Sequence, residues 1–272
     1  MLVNLGYYHP VPESYHDNFI TPGADIMRFL IGLDDTDNPG TSSTGVLARQ
    51  LGEHLEEKGF GKLESITRHQ LIQSPLVPCT TRNSAICLTF EGDPNRRSEL
   101  EMAVRSFIMR EYAPGANAGF AMASWAQVSA EVFTWARLAK TRVLNRLDAL
   151  RTARAAGIAI AGLTGSGEGA IGALAALGLR FRGEDGRFLW LPNLEILSGI
   201  YTYTELMDLV PFDSIETLKG KSPRPTVKIN VGEWVRPILR EGRCVLLVEE
   251  EHKEKAYDWY TLDMDKVREL TD

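Results

Sequence analysis

Three carboxylates follow directly on a short apolar run near residue 30. Residues 29–33 are apolar or glycine, and Asp34-Asp35-Thr36-Asp37 comes immediately after them. An apolar run stopped by acids is typical of a buried strand, and alternation along an extended chain places Asp35 and Asp37 on the same side. Crowded carboxylates repel one another unless a cation lies between them, and Mg²⁺ prefers such hard oxygen ligands. We therefore predict that Asp34, Asp35 and Asp37 form a magnesium site.

The segment after these aspartates is rich in hydroxyl groups and leads into a helix. Residues 38–45 read N-P-G-T-S-S-T-G, and apolar residues then recur at helical spacing up to residue 58. A helix N-terminus presents free N–H groups and a positive dipole end to phosphate. The pattern predicts a phosphate-binding site to which Thr36, Ser42, Ser43 and Thr44 contribute. The alternative is an Asx-type turn in which Ser or Thr only caps the helix.

A second glycine-rich segment, Gly167-Glu168-Gly169-Ala170-Ile171-Gly172, satisfies the pattern G-x-G-x-x-G. It follows a short apolar run and opens a helix, as a dinucleotide-binding segment does, and acids lie downstream of it. Two further interpretations stay open: Gly167 and Gly169 line the same nucleotide cleft, or the glycines only permit close helix packing. The shortness of the apolar run argues against the dinucleotide site.

Two other features could take part in chemistry or binding. His69 lies near the end of a predicted strand and could act as a general base, although a buried structural histidine is the alternative. The helical region 137–154 carries basic side chains at Arg137, Lys140, Arg142, Arg146, Arg151 and Arg154. They form either a solvated helix face or a strip for a phosphate-bearing partner.

Four segments in a fixed order carry a family likeness: residues 29–37, residues 81–85 (T-R-N-S-A), residues 117–119 (N-A-G) and residues 167–178 (G-E-G-A-I-G-A-L-A-A-L-G). Over residues 28 to about 180 the chain resembles the archaeal isoleucine-tRNA agmatinylcytidine synthetases. Enzymes of that family use ATP to activate a cytidine in the anticodon and then attach agmatine. Their kinase-like and ferredoxin-like domains are followed by an OB domain and a zinc ribbon.

The resemblance implies roles for individual residues. Asp34, Asp35 and Asp37 are expected to hold magnesium and phosphates, and Thr44 stands where the family has a threonine that becomes phosphorylated. Arg82 is expected to face the phosphates or the nucleic acid, with Asn83 beside it. Asp35, Thr44 and Arg82 are thus the expected catalytic residues.

Several positions depart from the family pattern. Ser43 replaces a cysteine, Thr80 a lysine, and Ser166 and Glu168 two basic residues. Phosphoryl transfer depends on cations that neutralise charge in the transition state, so these exchanges leave it open whether the chain is an enzyme. The C-terminal region also lacks the C-x-x-C pairs of a zinc ribbon.

Composition narrows the class of protein. The chain has 272 residues with a net charge of −6, which argues mildly against a general nucleic-acid binder. Three cysteines suit neither a disulfide framework nor a zinc site, so we expect free thiols and a cytoplasmic protein. No apolar run approaches the roughly 20 residues that span a bilayer, so no membrane partner is expected. Residues 1–26 lack the features of a signal peptide and are interpreted as an extension before a start at Met27.

Periodicity predicts an α/β (α+β) protein. Strands at 29–33, 63–72, 85–90 and 120–124 alternate with helices at 43–58 and 96–111 in the β-α-β-β-α-β order of a ferredoxin-like unit. A helical region 125–156, a helix 170–177 and a hairpin over 180–190 are expected next. Strands at 226–231, 244–249 and 259–262 indicate a small β-rich C-terminal region. The expected domains are 1–26 (extension), 27–124 (ferredoxin-like, nucleotide-binding), 125–200 (helical and Gly-rich) and 201–272 (β-rich).

These expectations combine into one primary hypothesis and two alternatives. The primary hypothesis is a protein that binds ATP or GTP with Mg²⁺ and, if it is an enzyme, acts as a phosphotransferase or ATP-dependent ligase on an RNA or small-molecule acceptor. A homodimer is a further expectation. The alternatives are a non-catalytic nucleotide-sensing or RNA-binding relative, and a dinucleotide-binding protein that uses Gly167–Gly172.

Overall fold

The computed structural model describes residues 26–77, 79, 80 and 82–272. The predicted extension before residue 26 and Thr81 of the second family segment lie outside the described residues. The described strands are β1 (Met27–Asp34), β2 (Gly61–Gln70), β3 (Ser84–Gly92), β4 (Gly119–Ser124), β5 (Ala159–Gly162), β6 (Arg187–Trp190), β7 (Gly199–Thr202), β8 (Ser214–Glu216), β9 (Lys228–Gly232), β10 (Ile238–Arg240), β11 (Arg243–Glu250) and β12 (Trp259–Thr261). The helices are α1 (Thr44–Glu57), α2 (Arg97–Glu111), α3 (Ala130–Thr141), α4 (Arg146–Ala155), α5 (Gly169–Arg182), α6 (Tyr203–Leu209) and α7 (Met264–Thr271). Within this part of the chain, no helix is both long and apolar enough to cross a bilayer.

The first four strands form the predicted ferredoxin-like unit. They pair in the order β4-β1-β3-β2, and every pair is antiparallel. β1 takes a central position because both of its faces are apolar: Phe29 and Ile31 pack under α1 and α2, whereas Leu30 packs on the opposite side. The fold class predicted from the sequence is confirmed.

A second helical layer covers the other face of this sheet. α5 packs across β1, β4 and β3, and α3 lies against α5. The approach is close, because a Cβ at Gly32 would lie 2.0 Å from the carbonyl oxygen of Ala173. The predicted helical region 125–156 is two helices, and Asn145 caps the second by accepting a hydrogen bond from the N–H of Asp148 at 2.9 Å. The sheet is thus buried between two layers of helices.

The predicted hairpin over residues 180–190 is wrong. α5 continues to Arg182 and ends at Gly183, whose φ of 71° is left-handed. The alternation of Arg180, Phe181 and Arg182 resembles a strand, but the Arg180 guanidinium is buried over the rings of Trp125 and Phe188. This packing favours the helix. β6 then pairs with β2 and with β10.

The sheet continues from β6 into the β-rich C-terminal region. Its order there is β10-β11-β12-β9-β7, with β8 beside β11. The three strands predicted near 226, 244 and 259 are present as β9, β11 and β12. α7 packs through Val267 against Leu262, Leu247 and their neighbours. The residue after α7, Asp272, is thereby brought beside β2 and β6.

Candidate functional site

A cavity of about 670 Å³ lies where β1, α1 and α5 meet. The acidic turn, the start of α1 and the start of α5 contribute to its walls, as do described residues of the loop between β2 and β3. Asp272 closes part of it from the C-terminal region. The fold therefore brings the acidic turn and the glycine-rich segment, which lie more than a hundred residues apart, to one cavity.

The acidic turn crowds carboxylates at the end of β1. Asp35 has a left-handed φ of 52°, and its N–H donates to Oδ1 of Asp34 at 2.9 Å. Burial raises the pKa of Asp34 well above its usual range, and the charges of Asp35 and Asp37 raise it further. Burial also raises the pKa of Asp35, hydrogen bonds from Asn117 oppose this, and Asp37 and Glu168 add to the rise. The turn therefore concentrates negative charge that a cation would relieve.

The three aspartates do not form a closed ligand set. Among the described residues, no group of three or more His, Cys, Asp or Glu side chains is arranged to hold a metal ion. Asp34, Asp35 and Asp37 all line the cavity. Mg²⁺ usually takes one or two carboxylates and completes its shell with waters and substrate phosphates. The crowded carboxylates on an open cavity wall fit a cation held in that way.

A chain of hydroxyl groups connects the turn to α1. The hydroxyl of Thr36 donates to that of Thr44 at 3.1 Å, and the hydroxyl of Thr44 donates to Oδ1 of Asp37 at 2.7 Å. Ser43 caps α1, since its Oγ accepts from the N–H of Val46 at 3.4 Å. The helix cap predicted as the alternative for this segment is therefore present. Ser43, Thr44 and Gly45 also line the cavity.

Two predicted hydroxyl residues lie away from the lining. Ser42 is exposed beside the cavity, and Thr36 is buried behind Thr44. The N–H groups of Thr44 and Gly45 occupy the first turn of α1, where no preceding helical carbonyl can accept from them. No acceptor for either N–H appears among the described residues. The start of α1 therefore offers these two N–H groups to a phosphate, at the positive end of the α1 dipole.

The glycines of α5 serve close packing. The N–H of Gly169 donates to the carbonyl of Asn117 at 3.0 Å, and that of Gly167 to the carbonyl of Thr164 at 2.9 Å. A Cβ at Gly169 would lie 2.6 Å from the carbonyl oxygen of Asp34. Gly167 is outside the cavity lining, whereas Gly169 and Gly172 belong to it. The N–H groups of Gly167 and Gly169 therefore already have acceptors, and the two glycines contribute to the shape of the segment rather than donors to a phosphate.

The strand order around α5 differs from a dinucleotide fold. β5, which precedes the glycine-rich segment, pairs antiparallel with β4, and β6, which follows α5, pairs with β2. A dinucleotide-binding unit requires parallel strands on either side of its helix. The geometry gives the dinucleotide alternative no support.

Arg82 lines the cavity but is already paired. Its Nη1 lies 2.7 Å from Oδ2 of Asp272, and Nη1 of Arg68 lies 2.7 Å from Oδ1 of the same carboxylate. Arg187 contacts that oxygen as well. Asn83, also in the lining, donates from its side chain to the carbonyl of Ile72 at 2.9 Å. Sequence reasoning missed Arg68, Arg187 and Asp272, because no local pattern connects residues that are up to 204 positions apart.

His69 takes no part in the cavity. Its side chain is fully buried, with Nδ1 at 3.2 Å from Oδ1 of Asp185 and Nε2 at 2.9 Å from the hydroxyl of Thr67. Burial lowers the pKa of His69, and Asp185 opposes that shift. The side chain is absent from the cavity lining. The structural alternative is thus the one that the fold supports.

Where this chain departs from the family pattern, its cavity has fewer positive side chains than the pattern implies, and one more negative side chain. The hydroxyl of Thr80 donates to Oδ2 of Asp37 at 3.3 Å, in the position where the family has a lysine. Glu168 lies in the cavity wall and raises the pKa of Asp35. The backbone N–H of Ser166 donates to Oδ1 of Asn117 at 2.9 Å. The cations that line the cavity come from the arginines instead.

Comparison with known proteins shows similarity in sequence and in structure. No protein-family model matches it. An uncharacterized protein of Methanocaldococcus jannaschii is 31% identical over 161 residues, which is 59% of this chain and 52% of that protein. The chain thus spans about half the length of this relative.

Solved structures of TiaS, an agmatidine synthetase that acts on an isoleucine tRNA, are also similar. The complex of TiaS with this tRNA and ATP, and the complex with the tRNA, AMPCPP and agmatine, are each 28% identical, with a TM-score of 0.49. Each match covers 56% of this chain and 36% of the TiaS chain. These structures belong to the family that the four sequence segments resemble. This chain therefore spans about a third of the length of the TiaS chain.

Proposed function

We propose that this chain binds ATP or GTP with Mg²⁺ in the cavity beside β1 and transfers a phosphoryl group, as a phosphotransferase or ATP-dependent ligase. The observation that carries the proposal is the hydrogen bond of 2.7 Å from the hydroxyl of Thr44 to Oδ1 of Asp37, in a wall shared with Asp34 and Asp35. It joins a hydroxyl nucleophile to a carboxylate base at the N-terminus of a helix.

Each element of this wall has a proposed role. Asp34, Asp35 and Asp37 supply carboxylate oxygens to Mg²⁺, which when bound would neutralise the nucleotide phosphates. The N–H groups of Thr44 and Gly45 hold a phosphate oxygen. In the transfer step the Thr44 oxygen bonds to the terminal phosphorus, the bond from that phosphorus to the leaving phosphate oxygen breaks, and the Thr44 proton passes to Asp37.

For the acceptor we propose only a chemical class. The sequence resemblance implies an RNA or small-molecule acceptor for the activated group. Five arginines in the cavity lining give it positive charge opposite the acidic turn: Arg68, Arg82, Arg142, Arg187 and Arg268. A phosphate-bearing acceptor suits such a wall.

The free thiols at Cys79, Cys87 and Cys244 support the proposal of a cytoplasmic protein.

A second candidate is a nucleotide-sensing or RNA-binding protein without catalysis. Glu168 favours it, because this carboxylate lies in the wall beside Asp35 where the family has an arginine. Negative charge at that position would oppose the charge that develops on a transferred phosphoryl group. Binding would then survive while transfer would not.

Binding and turnover of ATP separate the two candidates. The binding of Mg-ATP is measured by calorimetry, with NAD as a comparison ligand, and transfer is followed from γ-labelled ATP to the protein or to added RNA. Asp35→Asn removes one carboxylate from the wall, and Asp208→Asn, an exposed residue of α6, is the charge-matched control. Transfer that is lost in Asp35→Asn and kept in Asp208→Asn supports the enzyme. Binding without transfer supports the second candidate, and absence of Mg-ATP binding contradicts both the enzyme and the nucleotide sensor.

A further inference from the structure

Three guanidinium groups converge on one carboxylate at the edge of the cavity. Arg68 lies on β2, Arg187 lies opposite it on β6, and Arg82 precedes β3. All three contact the side chain of Asp272, the residue that follows α7. We refer to Arg68, Arg82 and Arg187 as the arginine cluster.

The arginine cluster is only partly neutralised. Among the described residues, Asp272 is the one acid that forms an ion pair with any of its three members. Three positive charges therefore face one negative charge. The side chain of Arg187 is 7% exposed, and its Nε has no hydrogen-bond partner in the described structure. A buried unpartnered donor of this kind marks a place where a further acceptor would be stabilised.

A phosphate group satisfies such a cluster better than a carboxylate does. It offers three free oxygens and up to about two negative charges, whereas Asp272 offers two oxygens and one charge. Guanidinium groups bind phosphate oxygens through paired N–H donors. All three members line the cavity, and their side-chain exposure ranges from 7% at Arg187 to 51% at Arg82.

The segment that carries Asp272 is held by few contacts. α7 has eight residues, and it is anchored by a small apolar cluster around Val267 and by a buried hydrogen bond of 2.9 Å from Nη1 of Arg187 to the hydroxyl of Thr271. Of its other ion pairs, Arg268 with Asp265 is exposed and Lys266 with Glu249 is partly buried. Exposed ion pairs contribute little stability, and elements with few buried apolar contacts open most easily. Opening of this short helix would carry Asp272 away from the cluster, whereas the strand pairing of β2 and β6 does not depend on α7.

We propose that the arginine cluster is a subsite for a phosphate group of the ligand, and that Asp272 occupies it as an internal competitor until that phosphate displaces it. The inference rests on the proposed function, since it takes the cavity as the nucleotide site. The phosphate belongs either to the nucleotide or to an RNA strand, and the two sources share the same chemistry at the cluster.

Asp272→Asn tests the inference, because it removes the competing charge and keeps the size of the side chain. The matched control is Glu269→Gln, which removes one negative charge from an exposed position of α7 and leaves the Arg268–Asp265 pair intact. Binding constants are measured for inorganic phosphate, for Mg-ATP and for a short single-stranded RNA. Thermal unfolding with and without phosphate provides a second measurement that does not depend on activity.

The expected result is roughly five- to tenfold tighter binding of inorganic phosphate to Asp272→Asn, the scale of one lost ion-pair competitor. The same gain for Mg-ATP identifies the nucleotide as the source, and a gain for RNA alone identifies the RNA. Phosphate should also raise the unfolding midpoint of Asp272→Asn more than that of the wild type. Equal binding in Asp272→Asn and Glu269→Gln, with equal midpoint shifts, would overturn the inference.

The inference and the proposed function fail separately. If the wild type binds Mg-ATP and Asp272→Asn changes nothing, the proposed function stands and the subsite falls. If no variant binds Mg-ATP but Asp272→Asn binds inorganic phosphate more tightly, the subsite stands and the nucleotide function falls.

Discussion

Gly172 lies so close to Asp34 that a Cβ at residue 172 would be 1.9 Å from Oδ2 of Asp34. The contact joins the first turn of α5 to the last residue of β1. The absence of a side chain at residue 172 therefore fixes where the Asp34 carboxylate can lie. Gly172 therefore affects both the packing of α5 against β1 and the placement of Asp34 in the proposed cation site.

Gly172→Ala is expected to displace Asp34 and to destabilise the fold. Overpacking of this kind typically costs about 1–3 kcal/mol, and the nearest atoms belong to a short, half-buried side chain with little room to move. Chemical unfolding measures the loss. Gly45→Ala is the control, since its Cβ would meet only a side-chain end, Cδ1 of Leu189, at 2.9 Å. A Gly172→Ala protein as stable as the Gly45→Ala protein would contradict the close contact.

Thr44→Val should abolish transfer from ATP if the enzyme proposal is right. The substitution keeps the shape of the side chain and removes the hydroxyl that donates to Asp37 at 2.7 Å. Thr44→Ser retains a hydroxyl and should retain measurable transfer. We expect a loss of at least ~100-fold for Thr44→Val, the scale of a missing nucleophile–base pair.

The control for this prediction is Thr134→Val on α3, whose exposed hydroxyl donates only to the carbonyl of Ala130. Its transfer rate should match that of the wild type. Transfer by Thr44→Val at the wild-type rate would remove Thr44 from the reaction and leave another group as the acceptor.

His69→Ala should lower stability without changing nucleotide binding. His69 is fully buried and joined to Asp185 and Thr67, so its loss leaves a cavity and unpaired polar groups. We expect a cost of about 2–4 kcal/mol in the free energy of unfolding. His252→Ala, at an exposed position, should cost almost nothing. A catalytic His69 would instead show normal stability with lost transfer.

Glu91 should make stability fall as the pH rises. Burial, together with Glu64 nearby, raises the pKa of Glu91 from 4.5 to about 7. Because the folded state holds this proton more tightly than the unfolded state, the stabilisation is complete below pH 4.5 and is lost as the pH rises to about 7. Since Glu91 is only partly buried, solvent screening limits the effect to about 1–2 kcal/mol.

Unfolding free energies measured from pH 4 to pH 8 test this prediction. Glu91→Gln should flatten the curve and be more stable than the wild type at the alkaline end. Glu99→Gln, an exposed residue of α2 paired with Arg96, should leave the slope unchanged. A steep slope that persists in Glu91→Gln would assign the pH dependence to another group.

The sequence by itself determined the elements and the acidic turn. The apolar runs of β1, β3 and β4 and the helical spacing in α1 and α2 predict the ferredoxin-like order, because strand and helix periodicities are local properties. The aspartates and Thr44 were also identified locally, since they directly follow β1 and begin α1. The same local reasoning failed over residues 180–182, where alternation resembles a strand but burial of Arg180 favours a helix.

Only the tertiary structure decided how the cavity is charged. Arg68, Arg187 and Asp272 meet through strand pairing and the docking of α7, and no pattern in the sequence connects them. The fold also commits the N–H of Gly169 to Asn117, which leaves the first turn of α1 to offer donors to a phosphate. Electrostatic interactions depend on distance in space, so the balance between acidic turn and arginine cluster arises only when separate segments of the chain pack together.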